Sequence, residues 1–199
     1  MKRTFPAMLL ALAILAPQLS AGPPLICHPF ETGDLELLPW KGGSNWNSPS
    51  PNYPVAKLVE DTLRLLSPKM PVIGRMETMR RAAIYASSNV AVGHELLARL
   101  MGRAMHEDAD GLAWFDAGYL VETFRQLGWM HKNRLAEGLD GRQWIARSAR
   151  AGVEAGAVEY ALALMTEGAW PNEHVRKAKA SAKPGSLLAI NLARHESGK

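Results

Sequence analysis

The sequence predicts an all-α protein, a short α-hairpin solenoid or an irregular helical bundle over residues 55–199, preceded by an irregular N-terminal arm. Three observations carry that expectation. From Val55 onward apolar residues recur with the helical period. The two-residue alternation of a half-buried strand is nearly absent. Glycine, proline and capping residues interrupt the pattern at intervals that suit short helices.

The chain opens on Lys2 and Arg3, a short apolar run from Ala7 to Ala16, then Pro17 and small residues up to Ala21. A basic start, a short apolar core and a small residue before the cut describe a secretory signal peptide over residues 1–21, with Gly22 first in the mature chain. The run is too short for a spanning helix, which needs about 20 apolar residues. No later segment is apolar enough to span, so the mature protein is expected to be soluble and exported, periplasmic or extracellular. Ile26 precedes Cys27, where a lipoprotein would need a small residue. Removing residues 1–21 takes away Lys2 and Arg3 and no acid, which lowers the formal charge from +4 to +2. The remaining charges are dispersed, with no basic block to track phosphates, so no nucleic-acid partner is expected.

Residues 22–54 are dense in Gly, Pro, Ser and Asn and read as an irregular arm and linker. Phe30, Leu35, Leu37, Leu38, Trp40 and Trp46 give it apolar material to lie along the body. The helical domain, 55–199, begins with Val55, Leu58, Val59, Thr62, Leu63 and Leu66 on one face. Ser67-Pro68 stops that helix. Pro71 suits the first turn of the next, with Val72, Met76, Met79, Ala83 and Ile84 inward. A third turns Leu96, Leu97, Leu100, Met101 and Ala104 inward before the acidic stretch from His106 to Gly111. The fourth carries Ala113, Ala117, Leu120, Val121, Phe124 and Leu127, and Gly128 suits its C-terminal end. Asp140 caps a fifth, with Gln143 as capping-box partner and Trp144, Ile145, Ser148 and Ala149 inward. A sixth ends at Gly168, and two short ones follow on either side of Pro184.

The last third repeats weakly. A shift of 33 residues places Ala149 over Ala182, Arg150 over Lys183 and Gly152 over Gly185, and a shift of 34 places Ala117-Gly118 over Ala151-Gly152. Such small residues let two helices cross closely. On these residues, with Ala161, Gly168 and Ala178, the stretch from Trp144 to Ala193 resembles the Sel-type repeats, relatives of the tetratricopeptide repeats. It departs from their pattern at Ala163-Leu164, where a Leu-Gly pair is usual. The resemblance implies a binding scaffold, a stack with a concave groove for a protein or peptide partner and no catalysis of its own.

The chemistry-bearing residues add little to that. Cys27 is the single cysteine, so no internal disulfide is possible. Cys27-His28 lacks the first cysteine of a C-x-x-C-H haem site, which Pro24 replaces. It suits a soft metal, or Cys27 an intermolecular disulfide, and a buried thiol is the simplest reading. His94-Glu95 does not extend to a zinc-protease motif, since Ala98 stands where the second histidine belongs. His106, Glu107, Asp108 and Asp110 fall short of a calcium loop and read as a solvated turn. No nucleophile motif or phosphate loop occurs, and no cofactor is inferred. Trp129, His131, Trp144 and Trp170, at helix ends and loops, are the residues expected to line a binding groove. The alternative function is a metal- or cofactor-handling protein using Cys27, His28 and His106.

Overall fold

Short polar side chains start the helices where the chain leaves an extended conformation. Asn89 accepts the Val92 N–H, Asp140 those of Arg142 and Gln143, Asn172 that of Val175 and Ser186 that of Ala189. Each satisfies a donor that the first helical turn leaves open. The computed structural model describes residues 24–42, 45–106, 109–131, 134–166 and 170–197, the side chains of Pro24, Trp129 and His131 excepted. The expected signal peptide, Glu107, Asp108 and the stop at Gly168 lie outside the described residues.

The described helices are α1 (Pro24–Cys27), α2 (Leu58–Leu65), α3 (Val72–Ala86), α4 (Val90–Ala104), α5 (Gly111–His131), α6 (Gly141–Arg150), α7 (Ala155–Met165), α8 (Glu173–Ser181) and α9 (Leu187–Glu196). A 3-10 turn, Val55–Lys57, leads into α2. No strand occurs among the described residues, where one isolated bridge pairs Trp40 with Pro49. The protein is all-α, as its apolar periodicity predicts. The one-turn helix α1 departs from the expected irregular start, and its Leu25 and Ile26 are fully buried.

α3 and α5 form the centre. α3 packs against α1, α2, α4, α5 and α7, and α5 against α1, α3, α4, α6 and α7. These contacts reach beyond neighbours in sequence, as in an irregular bundle more than a strict solenoid. Two hairpins, α5–α6 and α7–α8, close on glycines. A Cβ on Gly118 would stand 2.6 Å from the Gly141 carbonyl oxygen, and one on Gly156 2.7 Å from the Ser181 Cβ. Gly152 has a different task from Gly118. It turns the chain after α6 at φ 88°, as Gly185 does after α8 at φ 75°.

α3 is buried all round, Arg81 alone being partly exposed, so its polar residues must find partners inside. Many of those partners belong to the arm, most of whose backbone lies outside helices and beyond the single turn of α1. Glu77 accepts the Phe30 N–H, Arg80 donates to the Ile26 and Trp46 carbonyls, and Arg81 to that of Leu38. Tyr85 donates to the Pro39 carbonyl and accepts the Ser50 N–H. From the far end of the chain, the Asn191 amide clamps Glu31, accepting its N–H and donating to its carbonyl, each at 2.8 Å. The arm is therefore bonded into the body, with Phe30 and Leu38 in the common core.

Candidate functional site

The arm, α7 and α9 meet in a cluster of rings. His28 lies 4.9 Å from His195 between ring centroids, and Trp170 lies 4.1 Å from His195 on a tilted stack. Tyr160 sits edge-on to both Trp170 and His195 at 6.4 Å. Burial lowers the pKa of both imidazoles, that of His195 to about 4 with the His28 charge adding to the effect. The pair is thus neutral at neutral pH. Burial raises the pKa of the neighbouring Cys27 thiol, opposed by the Arg80 charge. The thiol is half-buried and protonated at neutral pH, a poor nucleophile in that state. The Trp170 indole N–H is buried and has no hydrogen-bond partner. The space between His28, Tyr160, Asn191 and Arg194 is about the size of one water molecule.

A second aromatic group stands on α5 and α6. Trp144 meets Trp114 edge-on at 6.2 Å, and the Arg147 guanidinium lies 3.8 Å above the Trp114 ring. Both indoles are half-buried. The cation over the ring face holds Arg147 in place on the surface.

The third place is a cleft of about 500 Å³ between α4 and the start of α5. It is lined by the small residues Ala98, Gly102, Ala109 and Ala113 and by the polar Arg99, Arg103, His106 and Asp110. The Asp110 carboxylate accepts the Ala113 N–H at 2.8 Å, which caps α5. Behind the cleft, one turn beyond Ala113, lies Asp116, fully buried. Its Oδ2 accepts from Arg75 at 2.6 Å and stands 3.8 Å from Arg103, while its Oδ1 has no hydrogen-bond partner. Burial raises the Asp116 pKa to about 6 against the pull of the two arginines. A displaced carboxylate pKa beside a cleft marks a candidate site on physical grounds.

The expected site residues fall in different places. Trp170 joins the His28–His195 cluster, Trp144 joins Trp114, and Trp129 and His131 occupy the last turn of α5 with side chains outside the described set. A second cleft, of about 410 Å³, opens beside that turn, between Phe124, Gly128, Arg134 and Leu139. His106 belongs to the α4–α5 cleft, and His28 to the ring cluster. Among the described residues no group of three or more His, Cys, Asp or Glu is placed to hold a metal ion.

Arg103, Arg147 and His195 carry no signal in the sequence, and Trp114 is one of six tryptophans with nothing local to set it apart. No local motif marks His195, which reaches His28 only through the docking of α9. Asp116 stands in the sequence with Glu95, Glu122, Glu154 and Glu159 as one of several helical acids, and nothing in its spacing separates it from them. Comparison of the chain with protein-family models, with curated proteins and with solved structures finds no match.

Proposed function

We propose that the chain is an exported helical scaffold that binds a protein or peptide partner through its helical surface. The observation that carries this reading is the open cleft between α4 and α5, lined by small residues and by charged ones of both signs. Such a shape admits a side chain or an extended segment and offers polar groups to orient it. The half-buried Trp114–Trp144 pair supplies aromatic surface of the kind that anchors partners. Gly152 and Gly185, left-handed turns at a spacing of 33 residues, support the finer reading that the last hairpins are Sel-like repeats. Residues 1–21 support export.

The test is capture of partners from an envelope fraction by the purified protein, beside Trp144→Ala and Arg103→Glu variants. A partner held by the wild type and lost from either variant is the expected result. No difference in bound proteins between wild type and both variants would refute the reading. The metal-handling alternative gains one observation, the His195 ring against His28. Metal content of the purified protein, compared with a His195→Ala variant, decides it.

A further inference from the structure

Two arginines face Asp116 of α5, and they hold it in different ways. Arg75 of α3 donates to Oδ2 at 2.6 Å and also to the carbonyls of Leu66, Ser67 and Met70, between α2 and α3. Those three bonds remain if the carboxylate is neutralised. Arg103, in the last turn of α4, stands 3.8 Å from the same oxygen, beyond hydrogen-bonding distance, and its side chain is 38% exposed. Its tie to Asp116 is therefore electrostatic, without a hydrogen bond. The second carboxylate oxygen, Oδ1, is buried and has no hydrogen-bond partner among the described residues. A proton reaching Asp116 has that oxygen to settle on, and Oδ2 goes on accepting from Arg75. Arg103 also has room to leave. It lines the α4–α5 cleft, and beside it nothing lies within 4 Å of where a Cβ on Gly102 would be.

We infer that Asp116 is a proton-operated latch on α4: the carboxylate ion holds Arg103 against α5, and a proton on Oδ1 frees Arg103 into the cleft while Arg75 keeps its place. The charges that act on Asp116 are Arg75 of α3, Arg103 of α4 and, opposing ionisation, Asp110 at the start of α5. Arg99 and His106 stand in the same cleft. Burial outweighs the two arginines and brings the Asp116 pKa to about 6, so the latch is closed at neutral pH and opens in mild acid. The inference concerns the shape of the cleft and does not depend on the scaffold reading.

The purified protein is titrated from about pH 8 to about pH 4, a range that spans ordinary carboxylate and imidazole ionisation. NMR follows the Asp116 carboxyl carbon, the side-chain Nε–H groups of Arg75 and Arg103, and the amides of residues 99–105. The Arg103 signal and these amides are expected to change with the midpoint of the Asp116 carboxyl, about 6, while the Arg75 Nε–H stays protected from exchange. Asp116→Asn should remove the transition and keep Arg103 in its low-pH state throughout. Arg103→Gln takes away a cation and should raise the carboxyl midpoint, which a merely structural role would not do. This second variant carries the test if circular dichroism shows that Asp116→Asn does not fold. His106→Gln and the Glu107→Gln/Asp108→Asn double variant should keep the transition. A carboxyl that stays ionised across the range, an Arg103 signal that does not follow it, or an unmoved midpoint in Arg103→Gln would overturn the inference. So would a transition that survives in Asp116→Asn or vanishes in His106→Gln.

Discussion

Glu77 on α3 and Asp116 on α5 are both carboxylates withdrawn wholly from water, each beside arginine, and they are built to opposite standards. Both oxygens of Glu77 are taken. Oε1 accepts from Arg80 and Arg81, and Oε2 from Arg80 and the Phe30 N–H. Asp116 has one direct partner, Arg75, and one oxygen with none. A buried polar network that is fully satisfied rigidifies what it joins, while a partly satisfied one keeps unspent electrostatic capacity. Glu77 is the clasp that fastens the arm to the core. Asp116 leaves its capacity behind the α4–α5 cleft, where it bears on Arg103.

Removing the clasp is expected to have the largest effect. Glu77→Gln leaves Arg80, itself fully buried, without its counter-charge. Breaking a buried pair from one side costs about 3–5 kcal/mol. Urea denaturation should show that loss, and limited proteolysis should cut within residues 28–54 of the variant before the wild type. A loss under about 1 kcal/mol, the scale of a surface pair, would end the clasp reading. Asp116→Asn should cost less, about 1–3 kcal/mol. Arg75 keeps the carbonyls of Leu66, Ser67 and Met70 when its carboxylate partner is neutralised. A cost equal to that of Glu77→Gln would erase the distinction between the two carboxylates.

Titration separates the Asp116 region from the ring cluster by sign. The folded-state pKa of Asp116 is raised from 3.8 to about 6, so the folded chain binds its proton more readily than the unfolded one. Stability from this group is complete below 3.8 and is lost as pH rises through 6. His195 is lowered from 6.5 to about 4, by burial first and the His28 charge second. Its contribution is complete above 6.5 and is lost as pH falls through 4. As the pH falls from about 6 to about 4, Asp116 adds stability while His195 removes it, so the two largely offset in the wild-type urea midpoint. Asp116→Asn should leave a net fall across this window, and His195→Gln a net rise. A midpoint that changes with pH in the same way in both variants assigns the titration to other groups and breaks the contrast.

The helices were legible because each has an apolar period and a marked start, as at Asp140 and Ser186. The centre of the molecule was not. The inward side of α3, with Met76 and Met79, was legible, but Arg75, Glu77, Thr78 and Arg80 look like the solvated side of the same helix and are buried as well. What makes it interior is the arm folding back from residues 24–54, a tertiary event that no local pattern records. The same limit applies to the site. His28 and Trp170 drew attention singly, but His195 joins them from the end of the chain. Arg103 and Asp116 meet across two helices.

The smallest effect tests the open side of the contrast. Alanine is more favourable than glycine inside a helix by about 1 kcal/mol. At Gly118 that gain is overwhelmed, because the new Cβ would press on the Gly141 backbone at the α5–α6 crossing. At Gly102 nothing stands in the way. Gly102→Ala should therefore raise stability by about 1 kcal/mol, measured by urea denaturation, while Gly118→Ala lowers it. A destabilised Gly102→Ala would mean that the α4 surface is packed against something after all, and the cleft would lose its claim to be free for a partner. A stabilised one leaves Gly102 as a residue that folding alone does not favour, which is the expectation for a surface kept bare for binding.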